Sequence, residues 1–336
     1  MVLAAGLGLR MRPLTLLRAK PVLPVLNRPL LHWTLELLAR HGVDDVMINL
    51  HHLPQTITGL VGDGRRFGLR VAYSRERTLL GTAGGPRQVR DYLGSAPFLL
   101  VNGDMAFEFD LSALVARHRA SGARATLALK PNPDPRHYGS VVTGRDGRVR
   151  SLVGLPREAK GRVSLFTGVH VLDPALLDRL PPGRSDTVRD LYPRLVEEGE
   201  RVMGVRVRGA WYDLSSPSLY LASQAALLGS GFGGIGRRKR LVHPTARVAP
   251  GARISRSVVG PGTVVAEGAW LEGSALWAGA RVGRGARIRD SILADGVEIG
   301  PGERLRGQVV VDGARMGRTF GGGRRRQGRI SMEMGR

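Results

Sequence analysis

The 336-residue sequence predicts an α/β domain with a mostly parallel sheet, followed by a parallel β-helix. Three observations carry this reading. Through the first 229 residues, short apolar runs alternate with stretches of helical apolar spacing, as successive βα units do. The first run, residues 1–5, empties into the glycine loop Gly6-Leu7-Gly8. From Val242 onward, aliphatic residues recur at 242, 248, 254, 259, 265, 271, 276, 282, 288, 293, 299, 305, 310 and 316, in steps of six, six and five. A period of 17 with Gly-rich corners such as Pro250-Gly-Ala-Arg253 describes a stack of about four to five coils.

Composition sets the bounds. The length favours two domains, and 42% hydrophobic residues with 5% aromatic ones allow a sizeable aliphatic core. There is no cysteine, which excludes disulfides and thiolate chemistry. Apolar runs stay short of the roughly 18 residues a membrane span needs, and no signal-peptide pattern opens the chain, so a soluble cytoplasmic protein is expected. The net charge of +23 raises nucleic acid as a partner. Residues 237–336 hold 20 Lys and Arg against 8 Asp and Glu, concentrated in 237–240 and 324–326 without interleaved aromatic residues for base stacking, so a solvated basic tail and no specific nucleic-acid partner are expected. Only four lysines occur, at 20, 130, 160 and 239, so a lysine at position 20 stands out.

Taken in order, Met1–Ala5 reads as a buried strand, and bare glycines at 6 and 8 let backbone amides approach a polyphosphate, with Arg10, Arg12 and Lys20 nearby. The spacing is neither a Walker A loop nor a dinucleotide fingerprint, because no glycine precedes Lys20 and position 11 is Met. A plain Gly-rich turn is the alternative. Residues 30–40 carry apolar positions at helical spacing with Gly42 as the stop, and 46–50 is a strand. His51-His52 follows it. Without further ligands at suitable spacing, this pair reads as a strand end rather than a metal site. Residues 69–73 form a strand, and Leu80-Gly-Thr-Ala-Gly-Gly85 is a second glycine turn opening a helix, with Thr82 as a candidate N-cap.

Residues 98–101 form a buried strand ending in Asn102-Gly103-Asp104, which places Asp104 where open α/β sheets bind ligands. Asp110 caps the next helix. Strands follow at 125–129, 140–142 and 149–152, the last two joined through the hairpin signal Asp146-Gly147. Residues 165–171 form a strand interrupted by Gly168, a mark of close approach by ligand or backbone. Helical segments near 174–180 and 188–198, a strand at 202–207, the run Trp211-Tyr-Asp213-Leu-Ser-Ser-Pro217 and a helix at 217–228 complete the first domain. The predicted organisation is 1–229, a flexible Gly and basic linker at 230–240, coils at 241–318 and a disordered basic tail at 319–336.

GLGLRMRPLT at 6–15, AKP at 19–21 and PVLNRP at 24–29 resemble the sugar-phosphate nucleotidylyltransferases, whose signature runs roughly G-x-G-T-R-[LM]-x-P-L-T, P-K-P and P-V-x-x-K-P. Leu9 and Ala19 depart from it at backbone-dominated positions. L-G-T-A-G at 80–84, N-G-D at 102–104 and W-Y-D at 211–213 resemble further family motifs, and 241–318 resembles the left-handed hexapeptide-repeat domain appended to many members. The resemblance implies a Rossmann-like domain transferring a nucleotidyl group from a nucleoside triphosphate to a sugar 1-phosphate. It implies Arg10 on the departing phosphates, Lys20 on the α-phosphate, and Asp104 with Asp213 holding Mg2+. Leu3, Ala4, Ala5, Gly6, Gly8, Gly81, Thr82, Ala83, Gly84, Asn102 and Gly103 would line the nucleotide, and Gly139 and Gly168 the sugar phosphate.

The family's V-E-K-P is here Val153-Gly-Leu-Pro156, which leaves Arg157 or Lys160 to replace its lysine. The loop at 81–85 with a short β-helix most resembles mannose-1-phosphate guanylyltransferases. Uridylyl- or thymidylyltransferases acting on glucose or amino-sugar 1-phosphates are the alternative, and a regulatory nucleotide-binding subunit is another. Acyl transfer by the β-helix is disfavoured, since His243 is its sole histidine and lies at the outer edge of the first coil. Homo-oligomerisation through either domain is expected. Met1 begins directly in the first strand, where relatives usually carry a few more residues, so the true start is expected slightly upstream.

Overall fold

The computed structural model describes residues 1–315, 324–326 and 328–335. The chain divides into two compact units: Met1–Gly6, Thr34–Gly103 and Phe107–Trp211 form the first, and Leu7–Trp33, Asp104–Ala106 and Tyr212–Arg336 form the second. These compact units interleave along the chain and so cut across the sequence division expected at 229. The 7–33 segment and the helix Pro217–Ser230 group with the β-helix, not with the sheet.

The first unit is built on nine strands: β1 (Val2–Leu3), β2 (Asp45–Leu50), β3 (Arg70–Arg75), β4 (Phe98–Asn102), β5 (Ala125–Lys130), β6 (Ser140–Thr143), β7 (Val149–Leu152), β8 (Arg162–Leu172) and β9 (Val202–Arg206). Their order is β7-β6-β8-β4-β1-β2-β3, and β5 joins β8 to β9. The pairs β3-β2, β2-β1 and β1-β4 are parallel, with Val2 opposite both Ile48 and Val101. In β2, Val46 to Leu50 are all buried, as expected for a parallel strand covered on both faces. β8 is antiparallel to β4, β5 and β6, so the sheet changes character on that side. Leu127, Leu129, Leu172, Leu176 and Tyr192 belong to the core cluster beneath β5 and β8. The cap predicted at Asp110 is present, its Oδ1 accepting from Ala113 N at 2.8 Å.

In the second unit the 17-residue period becomes register. Val242, Val259, Leu276, Leu293 and Val310 stand one above the other, as do Ile254, Leu271, Ile288 and Leu305. One corner repeats with the same period: Arg256, Gly273, Asp290 and Gly307 have φ of 47, 58, 46 and 61°. Ser257, Ser274 and Ser291 follow the first three. Each buried hydroxyl donates to the carbonyl two residues earlier at 2.7–2.8 Å and accepts a backbone N–H from 17 residues later at 3.0–3.2 Å. The corner is thereby satisfied without water. Met316 and the expected end at 318 lie outside the described residues.

Two expectations are corrected here. The 230–240 run is not a loose tether: Phe232 is buried edge-on against Trp33 at 5.2 Å, and a Cβ on Gly233 would meet the Trp33 ring at 2.1 Å. Nor is all of 319–336 disordered. Arg329–Glu333 pairs antiparallel with Gln308–Asp312, because the last coil otherwise leaves an open strand edge. Among the described residues, no helix is long and apolar enough to cross a membrane.

Candidate active site

In the first unit, β1 lies between β2 and β4, where the strand order reverses. Ligands of open α/β sheets bind beyond the carboxyl ends of strands at such a point. Here those ends are Leu3 to Gly6 and Asn102-Gly103. Buried Asn49 and Glu76, which nothing in the sequence singles out, hold this region. Asn49 accepts from Ala4 N at 2.7 Å and donates to Glu76 Oε1 at 2.7 Å, and Glu76 Oε2 accepts from Leu80 N at 2.9 Å. One polar chain therefore ties the first glycine loop to the second. Gly103 donates to Leu3 O at 2.8 Å, and a Cβ there would meet the same oxygen at 2.8 Å.

The second loop differs from expectation. Thr82 does not cap the helix Gly81–Gln88; its hydroxyl accepts from Thr187 N at 2.9 Å. Ala83 and Gly84 are buried, and both donate to Ser185 O, at 3.0 and 3.2 Å. Cβ atoms at Gly81 and Gly84 would come within 2.4 Å of the Ser185 and Gly183 oxygens. These glycines are required by a neighbouring backbone, and the amides of Ala83 and Gly84 are already committed. Gly81 and Thr82 remain half-buried.

The candidate charged residues Arg10, Lys20, Asp104 and Asp213 all fall in the second unit. Gly6, in the first, is exposed; Gly8 has φ 59°, and a Cβ on it would clash with Thr15 at 2.7 Å. Thr15 also donates to Gly8 O at 2.9 Å, which fixes the turn against the Lys20 stem. Lys20 is only 6% exposed, and its Nζ is 2.8 Å from Asp104 Oδ2. Desolvation opposes ionisation of Asp104. The charge and hydrogen bond of Lys20, a backbone N–H and the charge of Arg10 together outweigh it and hold the carboxyl below its ordinary value. Its side chain is nevertheless half exposed.

Asp213 ends the strand Ala210–Asp213, and its Oδ2 accepts from Ser215 Oγ at 2.7 Å. That strand pairs with Met105–Glu108, which begins directly after Asp104. Among the described residues, no group of three or more His, Cys, Asp and Glu side chains forms a metal-binding cluster. His51 Nδ1 instead bonds Glu76 O at 2.9 Å.

On the sugar-phosphate side, Gly168 has φ 80° within β8, and a Cβ there would meet Asn102 Nδ2 at 2.6 Å. The close approach foreseen at Gly168 is thus to the Asn102 side chain. Trp211 Nε1 donates to Thr167 O at 2.9 Å, and its ring meets Tyr138 edge-on at 5.6 Å. Tyr138 directly precedes Gly139, and Trp211 bonds the residue before Gly168; sequence reasoning gave neither aromatic residue a site role. Gly139 is exposed and faces Val153, which a Cβ would meet at 2.4 Å; Arg157 and Lys160 are exposed in the loop between β7 and β8.

A model described as nucleotidyl transferase matches residues 1–229. The chain belongs to this family. A second model, described as the GMPPB C-terminal domain, matches residues 237–316 of this family member. The chain is 34% identical over 243 residues to the UTP–glucose-1-phosphate uridylyltransferase of Synechocystis sp., across 68% of this chain and 63% of that enzyme, so it spans less than two thirds of that relative. It is 34% identical over 270 residues to the mannose-1-phosphate guanylyltransferase of Mycobacterium tuberculosis, across 77% of this chain and 74% of that one. A crystal structure described as a glucose-1-phosphate thymidylyltransferase of Bacillus anthracis shares the fold, with TM-score 0.60 and 22% identity over 67% of this chain and 93% of that one.

Proposed function

We propose that this family member transfers a nucleotidyl group from a nucleoside triphosphate to a sugar 1-phosphate, with GTP and mannose 1-phosphate as the preferred pair. The observation that carries the reaction is the buried Lys20 held 2.8 Å from an ionised, half-exposed Asp104 beside the Gly8 turn. A phosphate oxygen of the sugar 1-phosphate attacks the α-phosphorus, the bond to the bridging oxygen breaks, and pyrophosphate leaves with that electron pair. The nucleophile is already ionised, so no general base is needed. The barrier comes from bringing anions together and from charge growing on the leaving oxygens, so fixed positive charge and positioning supply the catalysis. Lys20 meets the α-phosphate and Arg10 the departing phosphates. Leu3 to Gly6, Gly81, Thr82, Asn102 and Gly103 hold the nucleoside.

Asp104 and Asp213 would together offer Mg2+ the one or two carboxylates it prefers, a reading that the ionised state and open face of Asp104 support. Bound there, the ion would supply positive charge to phosphate oxygens. Arg157 or Lys160 serves the sugar phosphate.

The match of 237–316 to the GMPPB C-terminal domain supports the guanylyl reading. The equal 34% identity to the Synechocystis enzyme supports a second one, uridylyl transfer to glucose 1-phosphate. Pyrophosphate release measured over five nucleoside triphosphates and mannose, glucose and N-acetylamino-sugar 1-phosphates separates them. One preferred pair is expected, and Asp104→Asn should lower its turnover by at least about 100-fold. That variant should also melt at a lower temperature, because the buried Lys20 ammonium loses its carboxylate, so turnover is compared at a temperature where circular dichroism shows both proteins folded. Full turnover in that variant would remove Asp104 from the mechanism.

A further inference from the structure

The three faces of the β-helix carry different chemistry. On the first, Val258, Ala275, Ile292 and Trp277 are buried; Trp277 Nε1 donates to Tyr220 OH at 3.1 Å, and Asn27 Nδ2 to Val259 O at 2.9 Å. That face is covered by its own unit. On the second, the outward strand column runs Arg247-Val264-Arg281-Glu298, with Arg281 3.5 Å from Glu298, and the column beside it, Ala249, Ala266, Gly283 and Gly300, is small and uncharged, so this face carries little net charge. The third is neither covered nor neutral. Its outward columns run Arg253-Trp270-Arg287-Arg304 and Ser255-Glu272-Arg289-Arg306 in strict register. Glu272, the one acid within these two columns, already faces Arg256 at 2.7 Å and Arg289 at 3.5 Å, and Asp290 at the adjoining corner lies 3.4 Å from the same Arg289. Arg253, Arg287, Arg304 and Arg306 have no acidic partner among the described residues. Trp270 is 42% exposed, with the Arg287 guanidinium 6.0 Å from its ring centroid. A cavity of ≈ 200 Å³ lies between the columns, floored by Ile288 and Leu305.

We propose that this face binds a nucleotide, with its base stacked on Trp270 and its phosphate held by Arg287, Arg304 and Arg306. Coils repeat about every 4.8 Å, so guanidinium groups on successive rungs can fork one phosphate between them. An acidic protein segment would satisfy the arginines but would leave the exposed indole without a role. A base uses both, because every base has a face to stack and a phosphate attached. Aromatic and basic residues are scattered in sequence and converge here only through the 17-residue register. The nucleotide can be free or part of single-stranded RNA. The inference does not rest on the proposed transfer reaction, since none of these residues belongs to that machinery.

Binding of fluorescein-labelled octauridylate to the full-length protein, in EDTA and over a range of salt, tests this. The affinity should fall with salt at a slope of about −0.7 per arginine engaged, and the double variant Arg304→Gln/Arg306→Gln should flatten that slope by about 1.4. Trp270→Leu should weaken binding roughly 5- to 100-fold at unchanged slope, and Trp270→Tyr should recover most of it. Displacement of the probe by UTP would identify free nucleotide as a source, and resistance to UTP would identify RNA; either outcome supports the site. Circular dichroism checks that the variants fold. Binding indifferent to both sets of variants overturns the proposal, as does binding that needs the arginines but not Trp270 and yields equally to polyglutamate.

Discussion

Lys20 is the one lysine of four that the fold buries, and burying an ammonium is costly unless a carboxylate and hydrogen bonds attend it. Asp104 meets that requirement at 2.8 Å while keeping half of its own side chain exposed, an arrangement suited to phosphate chemistry more than to stability. His170 is the opposite case. It is buried in the first unit, hydrogen-bonded through Nδ1 to Tyr192 OH, and burial depresses its pKa from 6.5 to about 3. Between those values the unfolded chain binds a proton that the folded chain refuses. Stability must therefore rise with pH through this window and be lost as pH falls from about 6.5 toward 3. One proton corresponds to about 1.4 kcal/mol per pH unit, so about 2 kcal/mol is lost between pH 6.5 and 5. Urea unfolding at pH 7.5 and 5 should show that difference in the parent and lack it in His170→Gln. The same pH dependence in both would mean that His170 titrates normally.

The segment bearing Lys20 is an element with almost no regular structure of its own, yet it is fixed. Arg18, two residues before Lys20, ion-pairs with Asp295 and lies 5.1 Å from the centroid of the Trp277 ring, while Tyr220 OH donates to Pro24 O. Because these anchors hold the stretch that positions Lys20, loosening one should act on the reaction before it acts on the fold. Arg18→Leu is expected to lower kcat about 10-fold with a melting temperature within a few degrees of the parent. Arg18→Lys, which keeps the charge but not the planar face, should fall between. If pyrophosphate release is unchanged in Arg18→Leu, the anchor is structural only.

This pairing also marks what was legible in the sequence. The helix Leu30–Arg40 and the described strand positions of the coils, from Val242 to Val310, followed from apolar spacing, because each depends on local periodicity. The helix Pro54–Val61 and the strand Met105–Glu108 were not foreseen, being short and without a clean period. Arg18 with Asp295, or Asn49 with Glu76, cannot be read from spacing at all. Such pairs are made by tertiary packing across 277 and 27 residues, and they leave no periodic trace.

At the scale of the whole molecule, the β-helix is a one-dimensional stack, in which each coil is stabilised by the coils beside it and the last one is exposed at an edge. The chain returns to close that edge with Arg329–Glu333, and the closing strand carries a charge inward. Arg329 is buried; its Nη2 lies 3.0 and 3.1 Å from the two Glu303 oxygens, and its Nη1 donates to Glu298 O. Glu303 also accepts from Gly300 N at 2.9 Å, so one ion pair ties the returning strand to the corner of the preceding coil. Removing only the cation strands a largely buried carboxylate, which costs about 3 kcal/mol, whereas replacing both partners with apolar residues can be close to neutral. Arg329→Met should therefore speed amide hydrogen exchange in Gln308–Asp312 and leave β1 to β4 of the sheet unit protected as before. The double variant Arg329→Met/Glu303→Leu should restore most of that protection. Exchange that rises equally in both units would mean that the stack and the sheet open together, and the returning strand would then stabilise the molecule as a whole rather than its last coil.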